Sequence, residues 1–221
     1  MAEIIGHVGV IGSGKNYCQD LLVKKGFIAL DFKYELIAMV SDLVGYNISE
    51  DYEYFKSHIV GVRRPQNPAE DQIYNQMSST IIANCPEAMT GRRLLQRMGT
   101  ETMRARDPDF WVKAWTKKAR EYLTGGFSVA VADVRFQNEI QAILGLAKEL
   151  GISHKIMFCD FRSDRYDPTS AHLSEAIAQE FLKAGYQDGQ EIAILTGDIP
   201  EKLTPGPQAP MPIQHIPPEQ Q

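Results

Sequence analysis

Residues 9–15 read Gly-Val-Ile-Gly-Ser-Gly-Lys, which fits the GxxxxGK part of a Walker A loop. Such a segment is suited to one kind of chemistry, the holding of a phosphate chain. Glycines let the backbone curl until successive N–H groups of Gly12, Ser13 and Gly14 face one anion. A helix opening at Lys15 adds its positive end, and the lysine ammonium bridges the outer phosphates. Such a loop normally closes on Ser or Thr, whose hydroxyl meets Mg2+. Here Asn16 and Tyr17 follow. Asn16 offers the metal, or its water shell, an amide carbonyl in place of a hydroxyl. Tyr17 reads as packing.

Two further segments have chemistry-bearing residues at useful spacing. In residues 91–101, a helix places Arg92, Gln96 and Thr100 on one face and Leu94, Leu95 and Met98 on the opposite, buried side. A guanidinium suits a phosphate and an amide suits a base edge; the same face is also what an ordinary solvated basic helix presents. A one-residue error at the helix start exchanges Arg92 with Arg93. In residues 129–139, Asp133 and Arg135 stand just past an apolar strand, at the edge where open α/β sheets bind ligands. Asp133 has three readings: it orients water around Mg2+, acts on an acceptor, or caps the next helix.

Taken together, these segments resemble a known family. GVIGSGK at 9–15, RRLLQRMGTE at 92–101, DPDFWVKAW at 107–115, DVRFQNE at 133–139 and HLSEA at 172–176 are similar, in that order, to the bacteriophage deoxynucleoside monophosphate kinases. Asp31-Phe-Lys33 is a weaker echo of the lysine that opens the family's second helix. The resemblance implies ATP and Mg2+ as cofactors and transfer of the γ-phosphoryl group to a deoxynucleoside 5′-monophosphate. It implies that Lys15, Arg135, Arg162 and Asp133 serve catalysis, and that Gly12 to Asn16, Arg162 and Arg165 hold ATP, the two arginines from a closing lid. It places Lys33, Arg92 or Arg93, and Arg135 on the acceptor monophosphate. Gln96, Thr100 and Trp111 go to its base and sugar, although a tryptophan such as Trp111, taken alone, is more often a core anchor. Asp133 and Glu139 are the acceptor-site acids. The family's loop usually reads GKDT or similar, so Asn16 and Tyr17 depart from it at metal binding and rate. The family relation leaves a homodimer open.

The elements that must position these residues follow from patterning. Apolar strands are expected at 4–11, 27–30, 127–132, 155–159 and 191–195, and helices at 15–25, 33–44, 69–83, 91–104, 108–123, 137–150 and 172–184. The segment 45–68 reads as irregular. Strand–helix alternation argues an α/β fold with a mainly parallel sheet of about five strands, and the resemblance implies the three-layer P-loop NTPase form of it. The stretch 69–123 reads as helical without a strand, so it should sit as a lobe on one side; the resemblance makes a helical lobe at about 45–124 the acceptor-binding part and puts a lid at about 161–172. His7, His58 and His154 read as structural or surface residues; His172 is near a helix start.

Composition narrows the function classes. With 43% hydrophobic residues and 221 residues, the chain can build a sizeable core. A net charge of −5 argues against a global grip on nucleic acid or an acidic membrane surface. Three cysteines without metal-like spacing suggest reduced thiols and a cytoplasmic setting. Six of the twelve prolines fall within 205–221, so a body at 1–204 is expected to carry a proline-rich disordered tail. Two other readings stay open: a P-loop kinase acting on a coenzyme precursor, and a nucleotide-binding module impaired by Asn16.

Overall fold

Strand β1 (Glu3–Val8) lies inside a sheet that has four parallel strands among the described residues. A computed structural model describes residues 2–60, 89–160 and 176–192 of the chain. The strand order is β2 (Ile28–Ala29), β5 (Val129–Val134), β1, β6 (Ser153–Phe158). β1 pairs with β5 through Ile4–Val129 and Ile5–Ala130, and with β6 from Glu3–Ser153 to Val8–Phe158. Every residue of β5 is buried, as a strand covered on both faces must be. A Cβ on Gly6 would lie 2.9 Å from Ile143 of α6 (Gln137–Leu150), so Gly6 faces that helix. The next residue, His7, therefore points to the other face, where α1 (Lys15–Val23) crosses β1 and β5. Helices on both faces make the three expected layers.

The described residues build two apolar cores. One lies on the sheet and includes Ile4, Val8, Phe32, Val131, Ile143 and Phe158. The other joins α2 (Tyr34–Val44), α3 (Tyr52–Ser57), α4 (Gly91–Gln96) and a π-helix (Arg97–Arg104) around Val40, Leu43, Phe55, Leu94 and Met98. Helix α5 (Phe110–Thr124) belongs to both. Its Trp115 packs on Phe32 at 4.5 Å and donates to the Leu30 carbonyl, while Trp111, one turn earlier, enters the second core. Two tryptophans at i, i+4 thus tie the helical lobe to the sheet.

Several expected boundaries move. The segment expected to be irregular contains α3 and β3 (Ile59–Val60), and β3 pairs antiparallel with β4 (Met89–Thr90). The lobe is therefore not strand-free. The expected helix at 91–104 is α-helical only to Gln96 and then widens to π geometry. β5 runs two residues further than expected, so Asp133 lies inside the strand and not beyond it. The last expected strand contributes an antiparallel bridge between Glu191 and Met157, and its remaining residues lie outside the described ones. The expected helix at 69–83, the lid at 161–172 and the tail at 205–221 lie outside them as well. The helix expected at 172–184 is seen as α7 (Ala176–Lys183), the earlier part falling outside. No described helix is long and apolar enough to cross a membrane.

Candidate active site

The glycine loop sits between β1 and α1. Gly12 and Gly14 have φ of 81° and 83°, the left-handed region that side chains rarely enter. Gly9 has a different reason to be glycine. A Cβ there would lie 2.3 Å from the Cys159 carbonyl oxygen and 2.4 Å from Ser13 Oγ, so the loop crosses the end of β6 with no room for a side chain. Lys15 folds back into the loop. Its ammonium donates to the carbonyls of Gly9 and Val10, both at 2.6 Å, and to Ser13 Oγ at 3.3 Å. Lys15 and Ser13 are buried, while Asn16 and Tyr17 are exposed on the first turn of α1.

Beside the loop, at the same carboxyl edge of the sheet, β2 and β5 present a cluster of charges. Asp133 Oδ1 accepts the Phe32 N–H at 2.9 Å and its Oδ2 accepts the Lys33 N–H at 3.2 Å. Asp31 accepts the Ala132 N–H at 2.8 Å and the Gln19 amide at 2.8 Å, and it pairs with the Lys33 ammonium at 2.8 Å. Gln19 also donates to the Ala130 carbonyl, which connects α1 to this corner. Tyr52 lies under two ammonium groups, Lys33 at 5.8 Å and Lys56 at 4.8 Å from its ring centre. Arg135 faces the same corner, where its charge acts on both Asp133 and Tyr52.

Environment divides the two aspartates. Burial pushes the Asp133 carboxyl up to about 7, with the negative Asp31 adding to the rise and Lys33 opposing it. Burial works against Asp31 also, but Lys33 and the N–H donors of Ala132 and Gln19 outweigh it and hold Asp31 below the usual carboxylate range. Burial would lower Lys33, yet Asp133 and Asp31 outweigh it and raise the ammonium above its ordinary value. Beneath the loop, burial lowers His7, whose Nδ1 donates to the Val131 carbonyl. This is a neutral, structural histidine, in line with the sequence.

The other expected site residues separate into groups. Asp133 is not a helix cap: Glu139 does that work, accepting the N–H groups of Arg135 at 2.7 Å and Phe136 at 3.1 Å. The second Glu139 oxygen takes Arg104, whose guanidinium also stacks over the Phe136 ring at 4.0 Å. Glu139 is 1% exposed, so it holds Arg135 in place from below. Trp111 is corrected to a core anchor. It is 3% exposed, and its indole N–H donates to the Gly99 carbonyl at 2.8 Å. Arg92 is exposed on α4, while Arg93 pairs with Glu101 at 2.6 Å. Gln96 and Thr100 are half-buried along the same rod. Arg162 and Arg165 lie outside the described residues.

Sequence reasoning missed Asp31, Gln19, Tyr52 and Arg104. Asp31 was within reach, because it ends an apolar strand as Asp133 does. Gln19 stands four residues after Lys15 and shares its helix face. Tyr52 and Arg104 have no local signal; each is recruited by tertiary packing.

For Mg2+ the donor chemistry fits. A hard cation takes oxygen ligands, and the loop region offers the exposed Asn16 amide oxygen, whereas both Asp133 oxygens already accept backbone N–H groups. Among the described residues no group of three or more His, Cys, Asp or Glu side chains stands ready to hold a metal ion.

A parallel sheet, with a strand–glycine loop–helix unit at its carboxyl edge, makes an α/β fold consistent with the P-loop NTPase type. No family model and no curated protein matches the chain. Among solved structures it is similar to an APS kinase of Mycobacterium tuberculosis, at 15% identity over 82% of this chain and 95% of that one, with a TM-score of 0.27. A likeness that loose carries no argument about activity or substrate.

Proposed function

We propose that the chain is a phosphotransferase that moves the ATP γ-phosphoryl group to a deoxynucleoside 5′-monophosphate. One observation carries the reading. Lys15 in its glycine loop and the Asp31–Lys33–Asp133–Arg135 cluster occupy neighbouring carboxyl ends of β1, β2 and β5. A donor phosphate chain on the first and an acceptor phosphate on the second would meet at that edge. Phosphoryl transfer asks for positioning and charge neutralisation more than covalent chemistry.

In this reading the N–H groups of Gly12, Ser13 and Gly14 hold the donor phosphates, and Lys15 turns from the loop carbonyls to share them. Lys33 and Arg135 take the acceptor phosphate, with Arg92 reaching from α4. Gln96 and Thr100 address base and sugar. Asp133 holds Lys33 by its backbone, and Glu139 holds Arg135. Arg162 and Arg165 are assigned to the lid. Mg2+ near Asn16 would neutralise phosphate charge when bound. The deoxynucleotide acceptor rests on the motif resemblance at 92–101 and 133–139.

The test is turnover of each deoxynucleoside monophosphate with ATP and Mg2+, beside the Lys15→Ala variant. Transfer to at least one, cut about 10²–10³-fold or more by the substitution, is the expected outcome. Turnover of a different small-molecule acceptor only would identify another P-loop kinase. Tight nucleotide binding with no transfer would identify an impaired binding module, the reading that the exposed amide at Asn16 favours.

A further inference from the structure

Two cysteines that sequence reasoning left without partners meet behind the glycine loop. The Cys159 S–H points at the Cys18 sulfur, with the two Sγ atoms 3.9 Å apart across 141 residues of chain. Cys18 is half-buried on α1, three residues after Lys15, and its N–H donates to the Gly14 carbonyl at 3.0 Å. Cys159 is 2% exposed at the end of β6. Its N–H donates to the Val8 carbonyl at 2.8 Å, and its own carbonyl occupies the space that a Gly9 side chain would need. The pair therefore touches both ends of the loop, Val8–Gly9 at its entry and Gly14–Lys15 at its exit.

We propose that Cys18 and Cys159 form an oxidisable dithiol, a modification site whose disulfide clamps the phosphate loop. Bonding would shorten the Sγ–Sγ distance from 3.9 Å to about 2.05 Å, through rotation of the two side chains together with approach of the first turn of α1 to the end of β6. Gly9 has no slack on the Cys159 side. Any closing movement of the backbone therefore falls on the loop and on Lys15, which a productive phosphate site needs in register.

The two thiols have different parts in the reaction. Cys18 is the one solvent reaches, so it meets the oxidant first. With a small disulfide such as oxidised glutathione, the Cys18 thiolate attacks one sulfur. A Cys18–glutathione mixed disulfide forms and one glutathione leaves. Cys159 then attacks Cys18 Sγ, its proton passing to the second departing glutathione. The two protein thiols are oxidised to one disulfide, and one oxidised glutathione is reduced to two thiols. Burial, reinforced by Cys18 alongside, pushes the Cys159 thiol up to about 12, so Cys159 stays protonated and its attack is the slow step, made possible by the 3.9 Å contact with Cys18.

The experiment uses the full chain, reduced and then exposed to oxidised glutathione, alkylated, digested and analysed by mass spectrometry. A Cys18–Cys159 cross-linked peptide that dithiothreitol removes is the expected product. The Cys159→Ala variant should stop at a Cys18–glutathione adduct, and Cys18→Ala should give neither. Circular dichroism checks that both variants fold. A wild-type chain that accumulates the Cys18 adduct without cross-linking, or whose two thiols stay alkylated while Cys85 is oxidised, overturns the proposal and leaves the pair as core packing. The effect on the loop rests on the kinase reading, and it is read separately as ATP affinity. A fall of tenfold or more in the cross-linked form, restored by dithiothreitol, supports the clamp; unchanged affinity in that form overturns it. If the reduced chain binds no ATP, the kinase reading fails, while the cross-linking result is unaffected.

Discussion

Asp31 and Asp133 each close the other's strand. Asp31 accepts the N–H of Ala132, the residue before Asp133, and Asp133 accepts the N–H of Phe32, the residue after Asp31. β2 is only two residues long, so this reciprocal pair extends the β2–β5 register past the last ladder bond. It also places Lys33 with its backbone on one aspartate and its ammonium on the other. Asp31→Asn should release that ammonium. Loss of a half-buried charged hydrogen bond predicts a destabilisation of roughly 1–3 kcal/mol in chemical unfolding. In the kinase assay the acceptor KM should rise more than the ATP KM. An equal rise in both would remove Lys33 from the acceptor side.

The Asp133 carboxyl gives a pH-dependent signature. Its folded value of about 7 lies above the ordinary carboxylate value, so between the two the folded state holds a proton that the unfolded state has lost. Stability contributed by this group is complete below about pH 4, declines as pH rises and levels off above about pH 7. Asp133→Asn cannot ionise. The wild type should therefore lose stability relative to the variant from pH 4 to 7, by roughly 1–3 kcal/mol. Urea unfolding of both proteins across that range checks the sign. A difference that stays flat with pH would place the proton elsewhere in the cluster.

Two glycines make a contrast in how backbone space is used. Gly9→Ala pushes a methyl against the Cys159 carbonyl, which cannot rotate away, and against Ser13 Oγ. A loss of roughly 1–3 kcal/mol is expected, with weakened ATP binding. Gly145, within α6, has nothing within 4 Å of a built Cβ. Gly145→Ala should stabilise by about 0.5–1 kcal/mol through helix propensity, with nucleotide affinity unchanged. Thermal unfolding of the two variants, shifted in opposite directions, is the expected result.

The glycine loop and the strand–helix alternation were legible because both are local. Three glycines and a lysine at fixed spacing, and a six-residue buried strand such as β5, announce themselves within a short window. What was not legible depends on distant partners. Gln19 is an unremarkable helix residue until Asp31 and Ala130 arrive beside it. Glu139 reads as a ligand by motif, but packing uses both of its oxygens within the chain. The change from α to π geometry after Gln96 has no strong signature either. In it, Gly99 admits Leu36 closely and its carbonyl is taken by Trp111, contacts set by α2 and α5.

Trp111 tests whether that packing account is right. The motif resemblance put it among the acceptor ligands, whereas the structure buries the ring against Phe110 and spends its N–H on Gly99. Trp111→Phe keeps an aromatic ring and deletes the donor, leaving the Gly99 carbonyl short of a partner. The variant should be destabilised by roughly 1–3 kcal/mol, the cost of a lost buried hydrogen bond and a smaller ring. At a temperature where it remains folded, its acceptor KM should stay within about twofold of wild type, since no expected ligand contact is removed. Stability loss with unchanged KM assigns Trp111 to the lobe core. A large rise in acceptor KM with little loss of stability would return the indole to the acceptor pocket and require the lobe to open towards α5.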